Sequence, residues 1–421
     1  MKIETKCVQS GYKPKNGEPR VLPIYQSTTY KYDSSEFMGK LFDLEEDGYF
    51  YTRLANPTCG FVEEKLAELE GGVGAMLTSS GQAATLTAVM TIAQAGDHII
   101  CSNAVYGGTF NLLGVTLKKF GIDVTFVDPD ADVAEIEKEF KDNTKAVIGE
   151  TIANPALTVL DIEKFAKLAH DHKVPLIVDN TFATPVLCKP IEFGADIVIH
   201  STSKYLDGHA VALGGAVIDG GTFDWAASGK FPEFTVPDDS YHGVVYTEKF
   251  GKAAFIVKAR AQLMRDLGPA PSPQNAFLLN LGMETLHLRM PCHSSNALKV
   301  AEFLENDDRV AWVNYPGLAS SKYKPLVDKY LPKGASGVVS FGVKGGREAA
   351  GKLLDSLELA AIVTHVADAR TCALHPASTT HRQMTDEQLR EGGVSPDLIR
   401  LSVCIENVDD IIADLDNALG K

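Results

Sequence analysis

From about residue 61 onward, short apolar runs alternate with longer stretches of helical period. FVEEKLAELEGG carries an amphipathic helical spacing and stops at glycine, which favours a helix C-terminus. GAMLTSS reads as a short buried strand, and GQAATLTAVMTIAQAG continues as a helix of small residues. HIICSN, DVTFVD, KAVIGE, PLIVDN and ADIVIHS are further apolar runs bounded by turn residues. Between them, GGTFNLLGVTLKKFG and LDIEKFAKLAHDHK repeat at helical spacing. Strands separated by helices predict an α/β fold with a mostly parallel sheet covered on both faces. Sites in such sheets form beyond the carboxyl ends of the strands, so the last residues of these runs carry special weight.

Two regions break the rhythm. Residues 1–60 are rich in Tyr, Pro, Gly and polar residues, and predict an extended arm with little core, of a kind that buries its aromatic residues against a partner subunit. After GGAVIDGG, the segment FDWAASGKFPEFTVPDDSYHG reads as a long polar and aromatic loop, followed by a helical stretch, VYTEKFGKAAFIVKARAQLMRDLG. The last third alternates again through ALKVAEFLEN, VAWVNYP, GVVSFGV, EAAGKLLDSL, LIRLSVCI and VDDIIADLDNAL, which predicts a smaller α/β domain. The expected organisation is an arm over 1–60, a large domain over 61–265 and a small one over 266–421.

Composition narrows the class without naming a chemistry. Hydrophobic residues make up 45% and charged residues 23% of 421, as in ordinary globular proteins. A formal net charge of −15 argues against nucleic acid or an anionic membrane as the main partner. No apolar run is long enough for a bilayer, and the first residues lack the apolar core of a secretory signal. The 7 cysteines are scattered, with no CxxC pair or metal-ligand spacing, and read as reduced core thiols. His200, His209, His375 and His381 are not spaced as a metal site, and no metal is assigned. A cytoplasmic enzyme is expected.

Two strand ends bear the chemistry. Asp179 closes PLIVDN, and Lys204 follows ADIVIHSTS. A carboxylate and an amine at neighbouring strand ends suit pyridoxal phosphate, whose aldehyde takes a lysine and whose ring nitrogen takes an anion. An ordinary salt bridge is the alternative. Ser79, Ser80, Gly81 and Gln82 lie between a strand and a helix, where amide groups bind phosphate, although Ser80 also suits a plain helix cap. Ser201 and Ser203 flank the lysine with hydroxyls. Tyr106 either stacks on a cofactor ring or packs at a domain edge. Tyr51 and Arg53 in the arm supply a hydroxyl and a bidentate cation, or simply a surface charge. Arg400, inside the apolar strand LIRLSVCI, needs a partner, either a substrate carboxylate or an internal Asp or Glu.

Taken in order, YTRLANPT, SSGQAA, VYGGT, ETIANP, VDNTFATP, HSTSKYLDGH, LHPASTTH and LIRLSV resemble the Cys/Met-metabolism family of pyridoxal-phosphate enzymes over nearly the whole chain. The resemblance implies the aspartate-aminotransferase-like fold (fold type I), with a large sheet domain and a smaller carboxy-terminal one. It further implies that Lys204 forms the Schiff base, that Asp179 pairs with the pyridinium nitrogen and that Tyr106 stacks on the ring. Ser80, the Gly81 and Gln82 backbone, Ser201 and Ser203 would hold the phosphate. Tyr51 and Arg53 would reach the phosphate of a neighbouring subunit, Tyr51 also touching substrate. Asn154 would lie near the cofactor's phenolic oxygen and the substrate, and Arg400 would bind the substrate carboxylate. Family members are usually tetramers built from two active dimers.

Within the family, SGQAA, the loop FPEFTVPDDSYHG and the ending HPASTTHRQ tilt the resemblance toward enzymes that exchange the acetate of O-acetyl-L-homoserine for sulfide or methanethiol. Gly108 stands where methionine γ-lyases often carry cysteine. The other readings are methionine γ-lyase and cystathionine γ-synthase or lyase, and from a different class a non-catalytic α/β binding protein. Two departures stand out: Ser203 replaces a common threonine, and VTHVADART lacks the ANIGD form seen in many sulfhydrylases.

Overall fold

The computed structural model describes residues 1–380, 382, 385–387 and 394–420. Its larger sheet is built from β1 (Gly74–Thr78), β2 (His98–Ser102), β3 (Asp123–Val127), β4 (Thr144–Glu150), β5 (Leu176–Asp179), β6 (Ile197–His200) and β7 (Gly215–Asp219). These pair in the order β1-β7-β6-β5-β4-β2-β3. Strands β2 to β6 run parallel, while β7 is antiparallel to both of its neighbours. The central strands are buried on both faces, which explains why their sequences read as continuous apolar runs rather than alternating ones. A smaller sheet contains β8 (Val310–Asn314), β9 (Val338–Val343), β10 (Ala361–Ile362), β11 (Cys372–Leu374) and β12 (Leu398–Ser402), in the order β10-β11-β12-β9-β8. It is antiparallel except for the β10–β11 pair.

Helix ends follow local chemistry. The helix Pro57–Glu70 starts with the Asn56 side chain accepting from the Thr58 amide and ends on Gly71 in the left-handed region. The helix Gly81–Met90 is capped by Ser80, whose Oγ accepts from the Ala83 amide at 3.2 Å. All seven cysteines are free thiols, and six are buried.

Three local expectations change. The arm is not uniformly extended: it contains the helices Ile3–Gln9 and Ser35–Phe42 and buries Cys7, Leu22 and Leu41. Val21, Ile24, Tyr25, Phe37, Met38, Phe42 and Tyr51 stay exposed on it. The stretch 223–243 is not a polar loop. Its aromatic residues turn inward, with Trp225 stacked on Phe234 at 4.5 Å and on Phe255 at 5.6 Å, and Phe231 and Tyr241 also buried. Proline and glycine had masked a packed cluster, because they break its helices into single turns. The stretch 245–268 is likewise not one helix; it passes through Tyr246–Phe250, Ala254–Lys258, a π-turn over Ala259–Met264 and Arg265–Leu267.

Candidate active site

The carboxyl ends of β4, β5 and β6 lie side by side. Register pairs Glu150 with Asp179, and Asp179 with Ile199. Asp179 Oδ1 accepts from the Thr181 amide at 2.9 Å, and Thr181 Oγ1 accepts from the Ser201 amide at 2.9 Å. One turn thus ties the end of β5 to the start of the lysine loop. Burial pushes the Asp179 carboxyl up, against the pull of the Thr181 hydrogen bonds. Glu150 is also pushed up, by burial and then by the charge of Asp179. No lysine or arginine among the described residues acts on either carboxylate. His200 is the last and weakest influence lowering Asp179, and two acids buried with so little cationic relief are a costly pair that a bound cationic ring would ease.

The lysine loop is shaped from below. Tyr205 and Leu206 are buried, and Gly208 adopts φ +70, folding the chain back so that its amide meets the Lys204 carbonyl at 2.8 Å. A Cβ at Gly208 would lie 2.1 Å from Arg289 Nη1, so glycine is required twice, by conformation and by space. Arg289 donates to the carbonyls of Tyr205 and Gly282 at 2.8 and 2.6 Å. Lys204, half-buried, then extends its amine to His365 Nδ1 at 3.2 Å. Burial and the nearby Arg400 charge hold that amine below the usual lysine range.

A chain of contacts joins the other residues. Arg400, on β12, donates to Asn154 Oδ1 at 3.2 Å and to the carbonyls of Thr364 and His365 at 3.1 and 3.4 Å. It is 8% exposed, and its Nε has no partner among the described residues. Every acceptor among the described residues is neutral, and none of them is the internal Asp or Glu partner considered from sequence. Glu150 accepts from the Tyr106 amide at 2.6 Å and from the Asn154 amide at 3.3 Å. The Tyr106 side chain is half-exposed. A Cβ at Gly108 would meet Tyr106 Cε1 at 2.4 Å and Gln82 Nε2 at 2.7 Å, so a side chain there forces the tyrosine ring or Gln82 to move. A Cβ at Gly81 would sit 2.7 Å from Ser201 Cβ, which brings the Ser80 turn against the lysine loop.

Lys204, Asp179, Tyr106, Asn154, Arg400, Ser80, Gly81, Gln82, Ser201 and Ser203 therefore belong to one contiguous region. Ser203 has its hydroxyl engaged with Gly214, donating to the carbonyl at 3.2 Å and accepting from the amide at 2.9 Å, so donation to a phosphate requires it to rotate. Tyr51 and Arg53 are not in that region. They line a separate cavity of about 740 Å³ between the arm and residues 240–265, with Arg260 and Arg265 on its wall. His375 is internal, bonded to Ser378 Oγ and the Pro396 carbonyl at 2.9 and 2.8 Å, while His381 lies outside the described residues.

Sequence reasoning passed over Glu150 and His365. Glu150 ends an apolar strand just as Asp179 does, and that shared position was the available signal. His365 lies in VTHVADART, where the departure from ANIGD was the only hint. His200, weighed in the sequence only as a metal ligand, holds Nε2 2.6 Å from Glu70 Oε1, and Glu70 also accepts from Asn180 Nδ2 at 2.9 Å.

The donor set fits pyridoxal phosphate: a depressed-pKa amine, a buried carboxylate short of a cation, an exposed tyrosine ring, and a turn whose glycine leaves no room for a Cβ. Comparison with known proteins agrees. A family model described as Cys/Met metabolism PLP-dependent enzyme matches residues 4–420. An O-acetyl-L-homoserine sulfhydrylase from Leptospira meyeri is 47% identical, covering 99% of this chain and 96% of that protein. A homocysteine synthase from Schizosaccharomyces pombe is 45% identical, covering 99% and 98%. A Campylobacter jejuni crystal structure, described as a candidate O-acetylhomoserine (thiol)-lyase carrying a pyridoxyl-lysine phosphate, superposes with a TM-score of 0.96 at 39% identity over the full length of both chains.

Proposed function

The chain belongs to the Cys/Met metabolism family of pyridoxal-phosphate-dependent enzymes, and from that premise we propose that it is an O-acetyl-L-homoserine sulfhydrylase. It exchanges acetate for sulfide to give L-homocysteine. The observation that carries the reading is Arg400, a buried cation whose partners among the described residues are all neutral, in contact with the residue that receives the Lys204 amine. Such a cation suits the carboxylate of an amino-acid substrate. Relatives named as sulfhydrylase and homocysteine synthase support the choice of reaction.

In this reading Lys204 would anchor the cofactor covalently, Asp179 would face its ring nitrogen, and Tyr106 would cover the ring. The backbone of Gly81 and Gln82, with Ser80, Ser201 and Ser203, would hold the phosphate, and Tyr51 and Arg53 would reach that of a neighbouring subunit. When bound, pyridoxal phosphate supplies an electron sink beside the substrate's α-carbon. Arg400 clamps the substrate carboxylate and Asn154, held by Arg400 and Glu150, orients its amino end. The Lys204 amine removes and returns protons at the substrate carbons, a task suited to a lysine whose pKa burial and Arg400 bring down. Glu150 fixes the backbone of both Tyr106 and Asn154.

The organisation that goes with this function is a large domain over 61–265, a small one over 266–421 and an arm over 1–60 that docks on a second copy. The exposed apolar side chains of the arm support a homo-oligomer, assembled as a tetramer of two dimers. A cytoplasmic location suits a biosynthetic enzyme, and no helix among the described residues is long and apolar enough to cross a membrane.

The test is incubation of the purified protein with O-acetyl-L-homoserine and sulfide, and separately with methionine alone. Homocysteine and acetate are expected from the first. Abundant 2-oxobutanoate from methionine, with no homocysteine from the first mixture, would overturn the reading. Succinyl and phosphoryl esters, and methanethiol as donor, extend the same assay to the choice of substrate.

A further inference from the structure

The proposed reaction uses the backbone of Gln82 and leaves its side chain without a task. A Cβ built on Gly108 would lie 2.7 Å from Gln82 Nε2 and 2.4 Å from Tyr106 Cε1, so the carboxamide and the ring edge press on the same point. The ε-carbons of a tyrosine flank its phenol group, which sets the carboxamide beside the hydroxyl end of the ring. Both partners are held from behind. Gln82 is the second residue of the helix Gly81–Met90, whose first turn is capped by Ser80 Oγ accepting from the Ala83 amide at 3.2 Å. The Tyr106 amide donates to Glu150 Oε1 at 2.6 Å. The Gln82 carboxamide itself has no hydrogen-bond partner among the described residues.

The hydroxyl end of Tyr106 also borders the carboxylate clamp. Burial lowers Arg400 first, and Cys372 and then Tyr106 act against it, so the phenol group lies within electrostatic reach of the guanidinium. Arg400 already donates to Asn154 and to the carbonyls of Thr364 and His365, and that flank of the clamp is taken. The flank toward Tyr106 is open, because Tyr106 is half-exposed and Gln82 only half-buried. A substrate held by its carboxylate at Arg400, with its α-carbon near the Lys204 amine, lays its γ-substituent along Tyr106 toward the carboxamide.

We propose that the Gln82 side chain recognises the acyl group of the substrate, donating its Nε2 hydrogen to the ester carbonyl oxygen. The inference rests on the sulfhydrylase reading above and deepens it. A carboxamide carries a donor and an acceptor, and rotation about its last bond presents either one to a ligand. An ester carbonyl only accepts, so it takes the N–H.

The contact gains strength as the reaction proceeds. When the γ-carbon–oxygen bond breaks, its electron pair leaves with acetate, and the negative charge spreads over both carboxylate oxygens. A donor already aimed at the carbonyl oxygen therefore binds the departing acetate more tightly than the intact ester. Hydrosulfide then supplies the electron pair for the new carbon–sulfur bond. A methyl thioether offers no such oxygen. Facing methionine, the Gln82 N–H meets only a weak sulfur acceptor, and a poorly paired donor counts against that substrate. One side chain thus favours an ester leaving group over a thioether.

The test compares ligands with and without the acyl carbonyl on the holoenzyme. L-Vinylglycine has no group to expel and gives homocysteine by gaining hydrogen sulfide at its γ-carbon. In Gln82→Leu, the ratio of kcat/KM for O-acetyl-L-homoserine to kcat/KM for L-vinylglycine falls about 10-fold. Gln82→Met, closer in length to glutamine, gives the same fall and guards against a folding defect in the first variant. A fixed ratio in both variants overturns the proposal, and the sulfhydrylase reading stands if wild type still converts the ester. A wild type that makes homocysteine from neither compound sinks that reading and the proposal together. A second measurement needs no turnover. The Nγ-acetyl amide analogue of the substrate keeps the carbonyl but has nitrogen in place of the ester oxygen, and L-norleucine lacks the carbonyl. Titrated against the visible absorbance of the bound cofactor, the analogue weakens relative to L-norleucine by about 10-fold in Gln82→Leu. Equal weakening of the two makes Gln82 a structural neighbour of Tyr106 only, and overturns the proposal.

Discussion

Two buried arginines lie near the lysine loop and are treated in opposite ways. Arg289 lies beneath it at 5% exposure, and its donors go to Tyr205, Leu206 and Gly282 carbonyls and to Thr285 Oγ1. Arg400 lies across the cleft at 8% exposure with its Nε left over. Burial lowers both, Arg289 to about 10. Neither forms an ion pair with a carboxylate among the described residues. The difference lies in satisfaction: Arg289 is a finished staple that shapes the loop, and Arg400 is a cation held ready. A protein can tolerate one unfinished cation if a ligand completes it, and the surrounding rigidity then has a purpose.

The strongest way to break this contrast is to remove the staple. Arg289→Met orphans several buried carbonyls at once, and a stability loss of about 3–5 kcal/mol is expected in denaturant unfolding. A loss under about 1 kcal/mol would make the two arginines alike after all. Next comes Arg400→Met, which should lower kcat/KM by about 1.5–3 kcal/mol, or roughly 10- to 150-fold. Because it deletes a charge that was incompletely paired, unfolding should show little or no loss of stability, and equal damage to both arginine variants would refute the distinction.

A third test carries the contrast to histidines. His98 has both ring nitrogens engaged, by Thr144 Oγ1 at 2.9 Å and Thr125 Oγ1 at 2.8 Å, whereas His365 has one open. Burial pushes His98 down from 6.5 to about 4. Between those values the unfolded chain binds more protons than the folded one, so the stability is full above pH 6.5 and is lost as pH falls toward 4. At pH 5 the loss is about 2 kcal/mol, and His98→Gln should flatten that part of the stability–pH curve. The smallest effect is expected at Ala367. Ala367→Gly relieves a left-handed alanine, and thermal unfolding should report a gain of about 0.5–1 kcal/mol, with no comparable gain from a glycine placed in the helix that carries Arg289.

Much of the frame was legible because period and punctuation are local. The apolar runs ending at Thr78, Glu150, Asp179 and His200 became strands, and the parallel order followed from the helices between them. The sequence stretch 223–243 was misread for a reason that is equally physical. Proline and glycine reported short turns correctly, but whether its aromatic side chains face water or Phe255 depends on a segment further along the chain. The site divided along the same line. Lys204 and Asp179 were recognisable as charges at the ends of apolar strands. Glu150 occupied an equivalent position and was missed, because only the β4–β5 register turns it into a neighbour of Asp179. His365 is 161 residues from Lys204, and nothing short of the folded chain puts its ring against that amine.

The sequence by itself determined most of the strands, the mostly parallel large sheet, the residue types at the strand ends and the family those motifs resemble. These follow from short-range period, turn chemistry and local composition. Tertiary structure alone decided which charges remain unfinished. Arg289 and Arg400 are the same side chain in comparably buried positions, and their roles separate only when the acceptors around each are in place. Hydrogen-bond satisfaction is a property of three-dimensional neighbours. No spacing along the chain encodes it.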